Sequence, residues 1–504
     1  SLILDDPRAQ HLGQALRSFV TPMWMGRGDQ LAGLSFYRPL SLLSYAAEWA
    51  LHGANATGFH ATNVLLHAAN TVLFFFLLRR EGASGPCAGA LAGAWALAPR
   101  LAEATAWISG RTDVLALLCI QGALLVHDPR RGRRRPWAAA AFLLLGLFCK
   151  EVTVAALLAL AAEEALAAPR ETASTGDPRP AALRSWTARA WPLAMPLVVY
   201  LAMRRSALGT VGAADTSPDG LRRLTLPLEA VGTYTTMLLT PFSPSSQIGS
   251  WGVTRMPLVI LGGVVLGGLA AAATRPQARA FARRNAGPVT LFAVSLGLVL
   301  HVLPLAADVV AADRYLYVPT FALGWLVARE LGGRSIARPV ARALVVVCAV
   351  LAAASGVATY GRAAVWADEI AFFTDMAEEA PERAPHFIHL GMLAHRAGLF
   401  GAACAFERHA LERAEAERPR SNVHSALANL ANCSAKLGQY GEAEVYAQEL
   451  LRRHPDFGRA HVLVALSHLH FLRFGAAEAQ VQEALSVHPD FADARELEAL
   501  IPEL

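Results

Sequence analysis

Apolar and polar positions divide the chain into three parts with different patterns. Residues 1–59 are too polar to cross a bilayer and predict a loop that carries one or two short interfacial helices. Residues 60–359 contain almost all of the long apolar runs, whereas residues 360–504 are charged, alanine-rich and helical in pattern. Because a helix needs about 20 apolar residues to cross the hydrocarbon core, the middle part predicts a multi-span membrane domain.

The apolar runs predict ten membrane spans, several of them short, which is typical of a bundle around a polar cavity. The stretch 137–168 is interrupted by Lys150-Glu151, and it reads either as one long helix or as a hairpin with these residues at its tip. Arginines at both of its ends favour the hairpin. The predicted spans are 60–78, 86–98, 111–127, 137–149, 151–168, 187–203, 254–273, 288–303, 315–331 and 342–359.

Arginine is unevenly distributed among the loops between these spans. The loops near 79–80, 130–135, 170–189, 275–284 and 334–342 carry most of it, and the positive-inside rule assigns them to the cytoplasm. An even number of spans then puts the first loop, the segment 204–253 and the C-terminal part on the opposite, outer side. The chain is therefore predicted to be integral to a membrane. We expect the bacterial inner membrane, with the outer parts in the periplasm, or the endoplasmic reticulum membrane if the chain is eukaryotic.

The C-terminal part contains an internal repeat. Pro-Asp-Phe occurs at 455–457 and again at 489–491, a period of 34 residues, and the same offset relates Ala443 to Ala477. A 34-residue period with small residues where helices cross is typical of tetratricopeptide repeats. Such solenoids present a concave surface to peptides and partner proteins, so residues 360–504 are predicted to form a binding module without catalytic chemistry.

Composition supports an all-α membrane protein and excludes other classes. Of 504 residues, 54% are apolar and only 17% are charged, which argues against a purely soluble domain. The net charge of +5 comes from arginines spread over short loops, so a nucleic-acid partner is not expected. The six cysteines fall singly in helical stretches, and their spacing predicts neither a disulfide framework nor a zinc site.

Polar side chains within a membrane domain are costly and are therefore candidate sites. His60, Asn63, His67 and Asn70 share one helix face, which must point into the bundle because lipid would not accept it. Hydrogen bonding between helices and a substrate cavity are both open explanations.

The remaining candidates lie in loops predicted to be on the outer side. All of them except Glu103 also have a structural explanation. Asp5 and Asp6 could be a solvated pair or a helix cap, Arg111 could pair with Asp113 and Lys150 with Glu151, and Arg314 and Tyr315 could be interfacial anchors. These candidates are Asp5, Asp6, Glu103, Arg111, Asp113, Lys150, Glu151, Arg314 and Tyr315.

Taken in order, these motifs resemble the transmembrane-and-tetratricopeptide-repeat family of protein O-mannosyltransferases, which have the GT-C glycosyltransferase fold. The resemblance implies an inverting transferase that moves mannose, or another hexose, from a polyprenyl (dolichyl) phosphate to a protein Ser/Thr hydroxyl. The motifs that carry the resemblance are Asp5-Asp6, Tyr37-Arg38-Pro39-Leu40, the stretch 58–67, the stretch 103–113, Lys150-Glu151 and the stretch 313–317.

The resemblance also implies roles for individual residues. One carboxylate of Asp5-Asp6 would be the general base toward the acceptor. Glu103 is the next candidate because of its position in the next predicted outer loop, apart from the resemblance. Lys150, Arg314 and His60 would attend the carrier phosphate. The family implies no metal and no cofactor besides the lipid-linked sugar, although a carboxylate pair leaves a divalent cation open.

The chemistry of sugar transfer supports these assignments independently of the family resemblance. Displacing a sugar from a phosphate needs a base for the acceptor hydroxyl and positive charge for the leaving group. Two other functions stay open: an oligosaccharide ligase or pilin-type glycosylation enzyme that uses a lipid-linked glycan, and a non-enzymatic transporter or membrane-anchored repeat scaffold.

Overall fold

The computed structural model of the chain is built almost entirely of helices, which confirms the predicted all-α fold. It divides into two compact units, Ser1–Ile248 with Thr254–Trp366, and Gly249–Val253 with Ala367–Leu504. We call them the bundle unit and the repeat unit. The structure describes residues 2–21, 36–167, 178–209, 220–243, 248–250, 253–302, 309–332, 338–416 and 422–504.

The bundle unit contains helices that range from one turn to about eight turns. Two three-residue strands, β1 (Ile248–Ser250) and β2 (Val309–Ala311), are also described. The helices are α1 (Leu2–Asp5), α2 (Leu12–Ala15), α3 (Pro39–His52), α4 (Ala56–Arg80), α5 (Gly85–Ala96), α6 (Ala102–Ala106), α7 (Arg111–Val126), α8 (Pro136–Cys149), α9 (Val154–Leu166), α10 (Pro178–Leu208), α11 (Leu221–Leu239), α12 (Met256–Ala273), α13 (Pro276–Arg284), α14 (Ala286–Gly297), α15 (Tyr317–Gly332) and α16 (Arg338–Val365).

Four segments of the described chain are long and apolar enough to cross a membrane. They are Ala56–Arg80, Ile108–Val126, Met256–Ala273 and Pro339–Val365. The other predicted spans coincide with helices that are shorter or more polar, among them the apolar helices α8 and α14. The chain is thus a membrane protein, whereas the count of ten crossings stays a prediction.

The apolar stretch around Lys150 is broken into two helices. Lys150 has an extended backbone (φ −161°, ψ 144°) between the end of α8 and a short 3₁₀ turn that leads into α9. The alternative of one continuous helix is therefore wrong, and the predicted hairpin tip is the point where the helix ends. α8 packs against α7 and α10, whereas α9 packs against α14.

Helix α11 lies within the segment 204–253 that the arginine pattern puts wholly outside the bilayer. It runs antiparallel to α12, with Gly232 against the Leu258 carbonyl and Gly262 against the Leu228 carbonyl. A Cβ at either glycine would collide with backbone, so the two helices approach as closely as glycine allows. Helix α11 therefore packs along α12, which is itself one of the four potential membrane spans. The location of the segment 204–253 outside the bilayer stays a prediction.

The core of the bundle unit is formed by aromatic side chains from α4, α5 and α15. Phe74, Trp95 and Phe321 are mutually in ring contact, with centroid separations of 4.8 to 6.4 Å. Phe74 and Phe321 are fully buried and Trp95 nearly so. Contacts of this kind stabilise a helix bundle beyond the area they bury, and they give α15 the fixed position on which the site depends.

The repeat unit consists of antiparallel helix pairs with the predicted period. The second members of two successive pairs start 34 residues apart, at Tyr440 and Phe474, and Ala443 and Ala477 are fully buried where the helices cross. The helices are α17 (Glu369–Glu379), α18 (Ala384–Arg396), α19 (Phe400–Ala416), α20 (Val423–Lys436), α21 (Tyr440–Arg453), α22 (Gly458–His470), α23 (Phe474–Val487) and α24 (Ala492–Leu500).

A disulfide joins Cys404 on α19 to Cys433 on α20. The expectation that cysteine spacing shows no disulfide is therefore wrong for this pair. The two residues are 29 positions apart in sequence, and only the packing of one repeat on the next brings them together. Spacing along the chain does not reveal which helices become neighbours.

One turn between paired helices is strained in the last repeat. The equivalent turn residues Gly398, Gly438 and Leu472 all have left-handed backbones, with φ of +76°, +75° and +56°. Glycine adopts this conformation freely, whereas a residue with a Cβ pays about 1–2 kcal/mol. Leu472 is 74% exposed, so little packing offsets the strain.

We therefore expect Leu472→Gly to stabilise the last repeat, by roughly 0.5–1 kcal/mol after the entropic cost of glycine. Hydrogen exchange of amides in α22 and α23, measured on the full chain, should slow about threefold. The matched control Gly438→Leu should accelerate exchange in α20 and α21. Unchanged exchange in both variants would show that the turn is unstrained.

Candidate functional site

Six polar and aromatic side chains meet at one end of the bundle unit, and we call them the Tyr315 cluster. The ring of Tyr315 is in contact with two cations: the Lys150 Nζ lies 5.3 Å from its centroid and the Arg314 Cζ lies 4.7 Å from it. The cluster consists of Glu103, Trp107, Asp113, Lys150, Arg314 and Tyr315. Three separate predicted motifs, the stretch 103–113, Lys150-Glu151 and the stretch 313–317, therefore converge on one aromatic ring.

Glu103 on α6 and Arg314 form the first ion pair of the cluster. Both carboxylate oxygens of Glu103 are engaged, Oε1 by the Arg314 guanidinium and Oε2 by the Arg314 backbone N–H at 2.8 Å. Burial raises the pKa of Glu103, while Arg314 acts in the opposite direction. Burial also opposes the charge of Arg314, but Glu103 raises the pKa of Arg314 above its ordinary value, so Arg314 remains a cation.

Lys150 and Asp113 form the second ion pair. The Lys150 Nζ lies 2.6 Å from both carboxylate oxygens of Asp113, and both residues are buried. The extended backbone at the end of α8 directs the side chain toward the first turn of α7. Neither of the local pairings considered from the sequence occurs here, because Lys150 does not pair with Glu151 and Asp113 does not pair with Arg111.

Glu151 instead accepts hydrogen bonds from two arginines that are distant in sequence. Arg38 contacts its Oε2 at 2.9 Å and Arg204 contacts its Oε1 at 3.4 Å. The charged groups next to the Tyr315 cluster thus include two guanidinium groups that share one carboxylate.

Arg111 is completely buried and holds three helices together. It donates to Asn63 at 2.7 Å, to Glu48 at 2.5 Å and to the Phe59 carbonyl at 2.9 Å. Its Cζ also lies 4.9 Å from the centroid of the Tyr45 ring. These contacts are all internal, so Arg111 positions α3, α4 and α7 relative to one another.

The polar stripe on α4 makes hydrogen bonds between helices, which was one of its two open explanations. Asn63 donates to backbone carbonyls of the 105–108 segment, and Asn70 donates to the Val114 carbonyl at 2.9 Å. His67 donates from Nε2 to the Ala96 carbonyl at 2.9 Å and lies 2.7 Å from the Tyr317 hydroxyl. His60 is half-buried next to Phe59.

Asp6 is bound within its own loop. Arg8 donates to it from Nη2 at 2.6 Å, from Nε at 3.0 Å and from the backbone N–H at 2.9 Å. Both side chains are buried, and Asp6 caps the 3₁₀ turn that follows. Asp5 ends α1, and its side chain lies outside the part of the structure that is described.

Several residues of this region carry no role in the sequence-based prediction. Arg100 pairs with Asp313 at 2.6 Å and also donates to the Thr240 carbonyl at 2.7 Å. Trp107 lies under Arg314, with 5.3 Å between the Cζ and the ring centroid. Arg38 and Asp313 belong to motifs of the family resemblance, and the sequence points to these two residues only through that resemblance. No pattern in the sequence singles out Arg100 or Thr240.

Among the described residues, no three His, Cys, Asp or Glu side chains are grouped as metal ligands would be. The carboxylates of the Tyr315 cluster are held by lysine and arginine. A divalent cation therefore has no preformed ligand set among them, and metal dependence stays untested.

Part of the chain is similar to proteins named protein O-mannosyl-transferases. Tmtc1 and Tmtc2 of Drosophila melanogaster are 31% and 32% identical to it over 126 and 155 residues, and TMTC1 of Mus musculus is 36% identical over 142 residues. These alignments cover 24%, 29% and 26% of this chain but only 15%, 16% and 14% of the relatives. The chain thus matches a small part of each relative's length.

Two further comparisons add little. No family model matches the chain. A fold comparison aligns 92% of it with 89% of a chain from the APC/C hetero-tetramer Cut9–Hcn1, at 13% identity and a TM-score of 0.26. That score is too low to indicate a shared fold.

The buried pair between Lys150 and Asp113 yields a test of stability. Lys150→Met leaves the Asp113 carboxylate buried without its counter-charge, which should cost about 3–5 kcal/mol. Adding Asp113→Asn should recover most of the loss, because the uncompensated charge is then gone. Thermal unfolding of the purified chain in detergent measures both effects. Equal midpoints for the single and double variants would mean that the pair is not buried as described.

Proposed function

We propose that the chain is a membrane glycosyltransferase of the GT-C type. It moves one hexose, mannose or a related sugar, from a polyprenyl-phosphate carrier to a Ser/Thr hydroxyl of a protein. The observation that carries the proposal is the pair of cations in contact with the Tyr315 ring, in a bundle of apolar helices. The partial similarity to proteins named O-mannosyl-transferases supports it.

The chemistry assigns a task to each part of the site. The acceptor oxygen forms a bond to the anomeric carbon as the bond from that carbon to the phosphate oxygen breaks. The hydroxyl proton passes to a carboxylate base, and polyprenyl phosphate leaves with the bonding electrons. Lys150 and Arg314 supply the positive charge on which the leaving phosphate depends, and Trp107 and Tyr315 offer flat surfaces beside a sugar ring.

Asp5 is the base in this proposal. Both oxygens of Asp6 accept hydrogen bonds from Arg8, and both oxygens of Glu103 accept from Arg314. Arginine N–H groups thus occupy both oxygens of each carboxylate, which leaves no free oxygen to take the proton of the acceptor hydroxyl. In this proposal Asp6 therefore holds the first loop in place, and Glu103 positions Arg314, the arginine that binds the phosphate.

The reaction is proposed to occur on the outer, non-cytoplasmic side, in the periplasm or the lumen. The arginine asymmetry of the loops supports this orientation. The disulfide between Cys404 and Cys433 supports it independently, because disulfides persist in oxidising compartments. The repeat unit would bind the acceptor protein on that side.

Separate substitutions of the two aspartates test the assignment of the base. Asp5→Asn should lower the rate of sugar transfer by about 10²–10⁴-fold, the usual effect of losing a general base, while stability and carrier binding stay normal. Asp6→Asn should mainly reduce thermal stability. The assay uses the full chain in nanodiscs with polyprenyl-phosphate mannose and a Ser/Thr-rich peptide.

A rate for Asp5→Asn above about a tenth of the parent rate would exclude Asp5 as the base. The stable double variant Lys150→Met/Asp113→Asn serves as the matched control for the phosphate site. It should fold normally yet bind the carrier weakly. The mass added to the peptide distinguishes the alternatives, since one hexose fits the proposal and a block of several sugars indicates an oligosaccharide ligase.

A further inference from the structure

An apolar cavity of about 260 Å³ lies where α5, α15 and α16 meet in the bundle unit. Its lining includes Leu91 from α5, Val327 and Leu331 from α15, and Val345 from α16. Helix α16 contains the potential span Pro339–Val365, and only 6% of the apolar stretch of that span is buried. Because a long apolar helix that is so little buried faces hydrocarbon, the cavity borders the lipid-facing surface of the bundle unit.

Close backbone packing fixes the end of the cavity where α5 begins and α15 ends. Gly82 lines the cavity, and a Cβ at Gly82 would lie 2.7 Å from the Gly332 carbonyl oxygen. The loop after α4 therefore lies directly against the last residue of α15. Next to it, the buried Glu81 accepts a hydrogen bond from the Trp325 Nε1 at 2.9 Å. This end of the cavity is thus preformed and needs no ligand to take its shape.

Two exposed arginines lie at this end of the cavity. The Arg79 Nη1 donates to the Ala83 carbonyl at 2.6 Å, and Ala83 lines the cavity. Arg342 follows Ala341, another lining residue. In the described part of the chain, neither guanidinium group is paired with a carboxylate. Both are therefore available to an anion.

Ser84 adds a hydroxyl group at the same place. It lines the cavity and caps α5, where its Oγ accepts a hydrogen bond from the Cys87 backbone N–H at 3.4 Å, so its own O–H can still donate. An apolar cavity with two guanidinium groups and a hydroxyl group at one end matches a hydrocarbon chain that is linked to a phosphate.

The phosphate at this end of the cavity cannot be the one proposed for the Tyr315 cluster. Tyr315 precedes the first residue of α15, whereas Val327 and Leu331 lie in its last turns, about 20 Å further along the helix axis. The arginine-rich loops near 79–80 and 334–342 both adjoin the cavity, and the positive-inside rule assigns them to the cytoplasmic side. The cytoplasmic leaflet is also the one that carries anionic lipids.

We propose that this cavity binds one acyl chain of an anionic phospholipid, and that Arg79, Arg342 and the Ser84 hydroxyl hold its phosphate. The bound chain would fill the space between α16 and the rest of the bundle unit. The site is independent of the proposed function, because it requires neither the sugar donor nor transfer.

The test uses the full chain in detergent micelles with equal amounts of dioleoyl phosphatidylglycerol and dioleoyl phosphatidylcholine. Native mass spectrometry should show one phosphatidylglycerol retained at least about tenfold more than phosphatidylcholine. Arg79→Gln/Arg342→Gln should remove this preference, because the anionic headgroup loses both counter-charges. The control Arg275→Gln/Arg279→Gln removes two exposed arginines from α13 and should leave the preference intact. Equal retention of the two lipids, or a preference that survives Arg79→Gln/Arg342→Gln, would overturn the proposal.

Neighbouring positions on α16 test the place of the acyl chain. Val345 lines the cavity, whereas Val346 is 61% exposed and does not. Val345→Phe should fill the cavity and weaken retention of phosphatidylglycerol about tenfold, and Val346→Phe should not change it. Retention that is the same in both variants would contradict the site. Displacement of phosphatidylglycerol by an equal amount of polyprenyl phosphate would show that the cavity holds the carrier chain, and it would also overturn the proposal.

The free thiols of Cys87 and Cys348, which both line the cavity, give a readout that needs no substitution within it. Added phosphatidylglycerol should slow the reaction of both thiols with N-phenylmaleimide at least about fivefold, because the acyl chain covers them. Peptide mass spectrometry measures the modified fraction over time. Phosphatidylglycerol should protect them much less in Arg79→Gln/Arg342→Gln. Reaction at an unchanged rate in the parent chain would place the lipid outside the cavity and contradict the proposal.

Discussion

Every charge buried at the Tyr315 end of the bundle unit must be matched by an opposite charge, because an unpaired ion in such surroundings costs several kcal/mol. This constraint explains why the pairs join segments that are far apart in sequence. Arg314 meets Glu103 and Lys150 meets Asp113. The Lys150–Asp113 pair fixes the end of α8 against the start of α7, and the Arg314–Glu103 pair fixes the turn before α15 against the start of α6. The loops of the site therefore hold definite positions.

The same constraint prepares the site for a phosphate. Two cations and their carboxylates already lie around one aromatic ring, so the groups proposed to bind the phosphate are positioned and desolvated before it enters. An arginine or lysine held in advance by a carboxylate costs little further entropy when it binds a ligand. Arg111 supports the site indirectly, because it holds together the helices that bear Asn63 and Glu48.

The sequence predicts the helices of both units well, because apolar length, helix breaks and repeat period are local properties of the chain. The break at Lys150 and the 34-residue repeat are examples. The partners in ion pairs and disulfides cannot be predicted in the same way, because they depend on which helices become neighbours in space. Lys150 has Glu151 as its neighbour in sequence, yet Asp113 is its partner, and Cys404 shows no sign in the sequence of its bond to Cys433. Arg38, Arg100 and Asp313 could be assigned contacts only from the fold.

The central claim is that the Tyr315 cluster binds the carrier phosphate. The most direct measurement is a structure, by electron cryomicroscopy, of the full chain in nanodiscs with a non-hydrolysable polyprenyl-phosphate sugar. The account predicts the phosphate within hydrogen-bond distance, about 3 Å, of both Arg314 and Lys150, with the prenyl chain in contact with lipid-facing helices. A sugar phosphate bound elsewhere, with the contacts of Tyr315 unchanged, would contradict it.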